Sequence, residues 1–238
     1  MEDFKQKFLD QVQEMGGCKN SSLVLNYYTK LNAELLKQKP VKNWSQVKLA
    51  DYVSKAIAYS NIEIDPLSKN MLSFIFFGSD IVFVQDVRCV EMLARKYGVN
   101  CPENITIELI YSNDKFSLIK KDLSNSKDGY LFQITSPLDR GEICGGIALS
   151  EYKNPIYNKV RFLGMKDIAK RTSTTTSFWR DWKENMCEKT IGKYAWSFVA
   201  LDTTKLAEFY SATIQENIPE EYIPESTEDL PFDPDNEL

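Results

Sequence analysis

Apolar residues recur at helical spacing through the first sixty positions. Phe4, Phe8, Leu9, Val12 and Met15 mark one helix, which Gly16-Gly17 stops. Leu23, Tyr27, Leu31 and Leu35 share one face of a second helix, predicted over Ser21 to Lys39 and ended by Pro40. A third starts around Asn43 and runs through Val47, Tyr52, Val53, Ala56 and Ile57 to about Ser60. Ile62 to Asn70, with Asp65-Pro66 inside it, reads as a loop or a short turn of helix. The period then changes. Leu72 to Phe77 and Ile81 to Val84 flank Gly78-Ser79-Asp80 as a hairpin. Asp86 to Tyr97 returns to helix, with Arg95 and Lys96 in its last turn and Gly98 as its stop. Thr106 to Tyr111 alternates, Ser112-Asn113-Asp114 turns, and Phe116 to Ile119 comes back as the partner strand. Tyr130 to Thr135 and Ile143 to Ser150 are further strands, the second weakened or bulged at Gly145-Gly146. Asn158 to Lys170, Ser177 to about Val199 and Thr203 to about Gln215 are predicted helices, and from Ile218 the prolines, acids and loss of period predict disorder. The pattern adds up to an α+β fold, a small antiparallel β-sheet with hairpins bracketed by N-terminal and C-terminal helices. Its expected divisions are a helical region at 1–60, an α+β core at 61–200, and a short helix with an acidic tail at 201–238. The apolar faces of the first region outnumber what a small sheet needs to cover, which offers them for subunit contacts.

One stretch departs from ordinary amphipathic patterning. On a continuous helix, Trp179, Trp182, Met186, Lys189 and Lys193 fall on one broad face, so lysines stand among large apolar side chains. Two readings follow. The face suits a polyanion with apolar surfaces, as single-stranded nucleic acid is, or it is a core stripe whose lysines snorkel to water. The stretch from Lys153 to Lys193 adds weight to the first, with ten basic residues against Asp167, Asp181, Glu184 and Glu188, and with Tyr152, Tyr157, Phe162 and Phe178 interleaved. Thr172 to Ser177 joins two basic helices with small hydroxyl residues, and Ser177 is placed as an N-cap, a position that can also meet a phosphate.

Charge sharpens the picture. The chain has a formal net charge of −5, yet no basic residue follows Lys205, while ten of the acidic residues do. The body up to Lys205 is therefore mildly basic, and the acidic tail is placed either to compete for a nucleic-acid groove or simply to solvate the chain. An aromatic content of 12% argues against disorder over most of the length. No stretch approaches the ~20 apolar residues of a membrane span, and the charges of Glu2, Asp3 and Lys5 occupy the place of a signal peptide's apolar region. A soluble, intracellular protein is expected.

Catalytic chemistry is thinly provided. The chain has no histidine, which removes Ser-His and Cys-His nucleophiles and the usual zinc ligand. Its five cysteines, Cys18, Cys89, Cys101, Cys144 and Cys187, form no C-x-x-C pair and fit reduced thiols. The only Gly-Lys pair, Gly192-Lys193, is followed by Tyr194, and Cys187 stands where a phosphate loop needs glycine. Activity without ATP follows. Asp80, Asp86, Glu108, Asp114 and Glu142 could be drawn into a two-metal site, but positions at turns and helix starts favour turn and cap geometry. No catalytic residue, metal or cofactor is assigned.

Three segments resemble the RecT-type phage single-strand annealing proteins (recombinases). Trp179, Met186, Lys189-Thr190 and Lys193 match the signature W-x6-M-x2-K-T-x2-[RK]. Asp86-Val87-Arg88 through Leu93-Ala94-Arg95-Lys96-Tyr97-Gly98 is similar to the family's "Y-K-G … L-A-R-R-S-G" helix, although Val87 and Cys89 replace its tyrosine and glycine and only Arg88 carries over. Tyr111-Ser112-Asn113-Asp114-Lys115-Phe116 is similar to its "V-Y-x-x-D-x-F" hairpin. The resemblance implies a RecT/Redβ-like fold, binding of single-stranded DNA and annealed duplex, and ATP-independent annealing in phage or prophage homologous recombination. It further implies homo-oligomeric rings or helical filaments, work beside a phage exonuclease and a host single-strand binding protein, and the cytoplasm of a bacterial host. Combined with the basic stretch, it selects Arg88, Lys166, Lys170, Arg171, Lys189 and Lys193 as contacts to the DNA backbone, and assigns Trp179 and Met186 to packing. The alternatives are a single-strand DNA-binding module that does not anneal, and a structural or scaffold protein of a phage particle.

Overall fold

The computed structural model of the chain describes residues 2–38, 44–121, 127–171 and 177–213. Three helices open it: α1 (Glu2–Met15), α2 (Ser21–Lys37) and α3 (Leu49–Asn61). Gly16 and Gly17 end α1 with φ of 65° and 70°, and Asn20 caps α2 by accepting the Leu23 N–H. An antiparallel hairpin follows, β1 (Leu72–Phe77) and β2 (Asp80–Gln85). The face expected on α2 is shifted by one residue at its start, where Val24 is buried and Leu23 half-buried, with Tyr27, Leu31 and Leu35 fully inside. These helices and the hairpin close over an aromatic core. Tyr27 stacks on Phe83 at 5.8 Å, and Tyr52 sets its edge on Phe83 at 5.4 Å. Both buried hydroxyls are satisfied, Tyr27 donating to the Ile64 carbonyl at 2.6 Å and Tyr52 to the Tyr27 carbonyl at 2.8 Å. Phe8, Tyr27, Leu31 and Leu35 are covered within the chain, while Met15 and Leu36 stay exposed.

Helix α4 (Val87–Tyr97) joins this core to the second layer of the molecule. Cys89 and Leu93 enter the first core, while Ala94, Val87 and Val90 pack with Trp196 and Val199 on the other side. The second layer is a sheet of β3 (Asn104–Tyr111), β6 (Ile143–Glu151) and β7 (Lys159–Gly164), all antiparallel, in the order β3-β6-β7. A separate pair, β4 (Lys115–Ile119) and β5 (Gly129–Gln133), covers one face, where Phe116, Tyr130 and Phe132 meet Ile110, Ile147 and Val160. Helices α5 (Met165–Arg171), α6 (Ser177–Asp181) and α7 (Lys183–Trp196) cover the other, over Leu109, Ala148 and Leu163. The alternation of strand residues between two apolar faces dictates this sandwich. Helix α8 (Ala207–Thr213) returns to the first core, with Phe209 edge-on to Tyr59 at 4.8 Å.

Five sequence expectations change. The third helix, expected from around Asn43, begins only at Leu49, after a separate 3-10 turn at Trp44–Gln46. Thr106–Tyr111 and Phe116–Ile119 do not pair with each other. Ser112 and Asn113 stay bonded to the Glu142 and Arg140 carbonyls, so the turn at Asp114 carries the chain out of the sheet to pair with β5. Lys159–Gly164 is a strand, and the helix predicted from Asn158 begins only at Met165. Sandwiched between layers, β7 buries Val160 toward one face and Leu163 toward the other, and this spacing of three imitates a helix. The long helix from Ser177 is broken at Trp182, which has φ −131° and ψ 40°. Finally, the helix expected from Thr203 starts at Ala207. The bulge expected at Gly145-Gly146 is present. The register shifts there, and Gly145 has φ 157° with space for no Cβ against the Leu163 carbonyl. Thr172 to Thr176 and the acidic tail from Glu216 lie outside the described residues.

Candidate nucleic-acid interface

Three of the six basic residues selected from the sequence converge on the start of α4. Asp86 caps that helix, Oδ1 accepting the Val87 N–H at 2.8 Å, and its own N–H donates to the Met71 carbonyl at 2.9 Å. Its second oxygen, Oδ2, lies 2.7 Å from the Lys189 ammonium, which reaches across from α7. Lys193 stands one turn further along α7. Burial holds its ammonium below the ordinary lysine range, against the pull of Asp86, while Lys189 adds to the depression. Arg88, two residues past the cap, is exposed and makes no ion pair among the described residues. It borders a cleft of about 560 Å³ shared with Met71, Met92, Arg95 and Lys96. Arg95 is tied to Glu91 at 2.9 Å and lies over the Trp196 ring at 4.8 Å, and Lys96 is bonded to Glu63.

The close seating of α7 makes this convergence possible. Gly192 is buried, and a Cβ on it would stand 3.0 Å from Ile107 of β3 and 3.4 Å from Val87 of α4. The other motif residues hold the same helix. Trp179 is 4% exposed within the core beneath α5 and α7, Met186 packs against that core, and the Thr190 hydroxyl donates to the Met186 carbonyl at 2.7 Å. Tyr111 of β3 donates to Glu184 at 2.6 Å, and burial with that carboxylate pushes its phenol up to about 12.

The remaining three residues belong to α5. Lys166 shares a groove of about 440 Å³ with Arg180 and Lys183, whose floor is Met165, Ala169 and Trp179. A cationic rim over an apolar floor fits a sugar-phosphate chain with its bases. Lys170 is exposed, with Asp167 at 3.9 Å. Arg171 lies over the Tyr194 ring at 4.3 Å. Tyr194 meets Phe198 edge-on at 4.8 Å, and the Arg161 guanidinium covers Phe198 at 4.1 Å. Burial lowers the pKa of Arg161. The six residues therefore form two groups, Arg88, Lys189 and Lys193 at α4, and Lys166, Lys170 and Arg171 on α5.

The break at Trp182 divides the mixed face. Trp182 is 56% exposed while Trp179 is buried, so the tryptophans do not line one stripe. Arg180, Lys183 and Asp86 were not selected from the sequence. The first two stood in the basic run, and their groove depends on a turn between helices that periodicity does not show. Asp86 was legible as a cap but not as the partner of Lys189. Three of the five carboxylates weighed for a metal are otherwise occupied, Asp80 by Lys48 at 2.7 Å, Asp86 by Lys189 at 2.7 Å and Asp114 by Arg140 at 2.6 Å. Among the described residues no group of three or more His, Cys, Asp or Glu could hold a metal ion, and no helix is long and apolar enough to cross a membrane.

Fold and clefts together define an α+β protein with two groups of cations, one where α7 meets the start of α4 and one along α5 and the adjoining groove. The model of the RecT family matches residues 36–229, and the chain belongs to that family, whose activity is phage-type single-strand annealing in recombination. No curated protein matches the chain.

Proposed function

We propose that this protein binds single-stranded DNA and anneals complementary strands without ATP, as a homo-oligomeric ring or helical filament. Arg88, Lys166, Lys170, Arg171, Lys189 and Lys193 contact the backbone, with Arg180 and Lys183 added at the α5 groove. The bases remain free to find their complement, because the contacts are to phosphate. The partners are a phage exonuclease that exposes strands and a host single-strand binding protein, in the cytoplasm of a bacterial host. The observation that carries this reading is the RecT family match over residues 36–229, which takes in every one of these positions.

The test is annealing of complementary oligonucleotides without nucleotide, followed beside single-strand binding across a salt series. The wild-type chain is expected to bind and to anneal. Lys189→Ala with Lys193→Ala is expected to lower affinity at least tenfold and to flatten the salt slope by about 1.4, about 0.7 for each lost phosphate contact. Binding without annealing would favour a coating module, and assembly without DNA, indifferent to the double change, a scaffold. An unchanged affinity and slope would remove Lys189 and Lys193 from the site.

A further inference from the structure

We infer that Asp86 is a built-in competitor for the DNA backbone, its carboxylate occupying on Lys189 the place that a phosphate takes. The inference rests on the backbone-binding role of Lys189 given above.

The two oxygens of Asp86 have separate duties. Oδ1 accepts the Val87 N–H at 2.8 Å and caps α4, while Oδ2 holds the Lys189 ammonium at 2.7 Å. Surrendering Lys189 to a phosphate therefore leaves the helix capped. The pair is sheltered but not sealed, with 35% of the Lys189 side chain and 14% of the Asp86 side chain exposed. An incoming anion can reach the lysine without unfolding either helix. The local charge balance favours the exchange. Lys189 and Lys193 face a single carboxylate, and the neighbouring Cys89 is neutral, its thiol pushed up to about 12 by burial. Lys193 gains most, since it is desolvated and has no ion pair among the described residues. A phosphate between Lys189 and Lys193 supplies both with the charge-assisted bonds that one shared carboxylate cannot. Asp86 thereby weakens the hold on each single strand, which a protein that hands strands to their complements requires.

The test uses the full chain and a poly-dT oligonucleotide, with affinity measured by fluorescence anisotropy across a salt series. Asp86→Asn keeps the cap, since asparagine caps as well as aspartate, and removes the charge. It is expected to bind several-fold tighter than wild type, with a salt slope steeper by about 0.7 for each lysine released. Lys189→Gln is expected to bind more weakly, and in combination with it the gain from Asp86→Asn disappears. Asp86→Ser, which caps without an amide, is expected to repeat the gain. An unchanged or weaker affinity in both Asp86 variants overturns the inference, as does a gain that survives Lys189→Gln. Loss of the helical circular dichroism signal in both variants also overturns it, because Asp86 is then a structural residue. If the wild type fails to bind poly-dT, the proposed function falls first and this inference with it.

Discussion

Asp114 has no exposed side-chain surface, and both its carboxylate oxygens are engaged. One oxygen takes the Tyr111 N–H at 3.0 Å, and Arg140 donates to both, at 2.6 and 3.2 Å. The same guanidinium donates to the Leu109 carbonyl at 3.0 Å and covers the Tyr111 ring at 4.0 Å. The aspartate of the family's turn motif is thus a clamp that sends β4 out of the sheet. Its hydrogen bonds to Arg140 hold the carboxyl below the usual carboxylate range. A depressed carboxyl contributes stability above its unfolded pKa, ~3.9, and loses that contribution as pH falls through the lower folded value. Asp114→Asn should cost about 2–3 kcal/mol in urea unfolding at neutral pH, and should flatten the loss of stability below about pH 4. The motif was legible as a turn, but its partner Arg140 was not, because nothing in a local pattern points across the intervening strands. The pairing of Lys189 with Asp86 was missed in the same way. Residue type and spacing marked the lysine as a contact, whereas its neighbour Asp86 lies on another helix.

At the scale of elements, α7 is the helix on which both basic groups depend, and Gly192 sets how closely it sits. In an exposed helix glycine costs about 1 kcal/mol against alanine, so its presence here needs the contacts with Ile107 and Val87 to justify it. Gly192→Ala should stay within about 1 kcal/mol of wild type, helix propensity offsetting mild crowding. Gly192→Leu should cost about 2–3 kcal/mol by thermal or urea unfolding, and should move α7 away from Asp86. Equal stability of the two variants would mean that α7 is not seated by this contact. The helices α1, α2 and α4 and the hairpin β1–β2 were legible because each buries one face and keeps a clean period. The segment from Lys159 to Gly164 was not, since a strand buried on both faces has no alternation to show. The break at Trp182 was invisible for another reason: no glycine or proline marks it.

For the whole molecule, two cores share α4, and charge divides unevenly along the chain. Every basic residue lies at or before Lys205, and nine of the ten acidic residues beyond it fall after Thr213. On charge alone, removing residues 216–238 should tighten binding to single-stranded DNA several-fold at low salt, with the gain vanishing at high salt as screening takes over. Identical salt curves for the full and shortened chains would reject competition by the tail. That cut spares α8 and the residue before it, so that Leu206 and Phe209 keep their places in the first core. The contact between Phe209 and Tyr59 also orders events during synthesis. Helices α1 to α3 emerge from the ribosome well before α8, yet the socket beside Tyr59 stays empty until synthesis has passed Phe209. The first core is therefore the earliest to start and the last to finish, and a nascent chain stopped before Leu206 carries an open apolar seat for chaperones to hold.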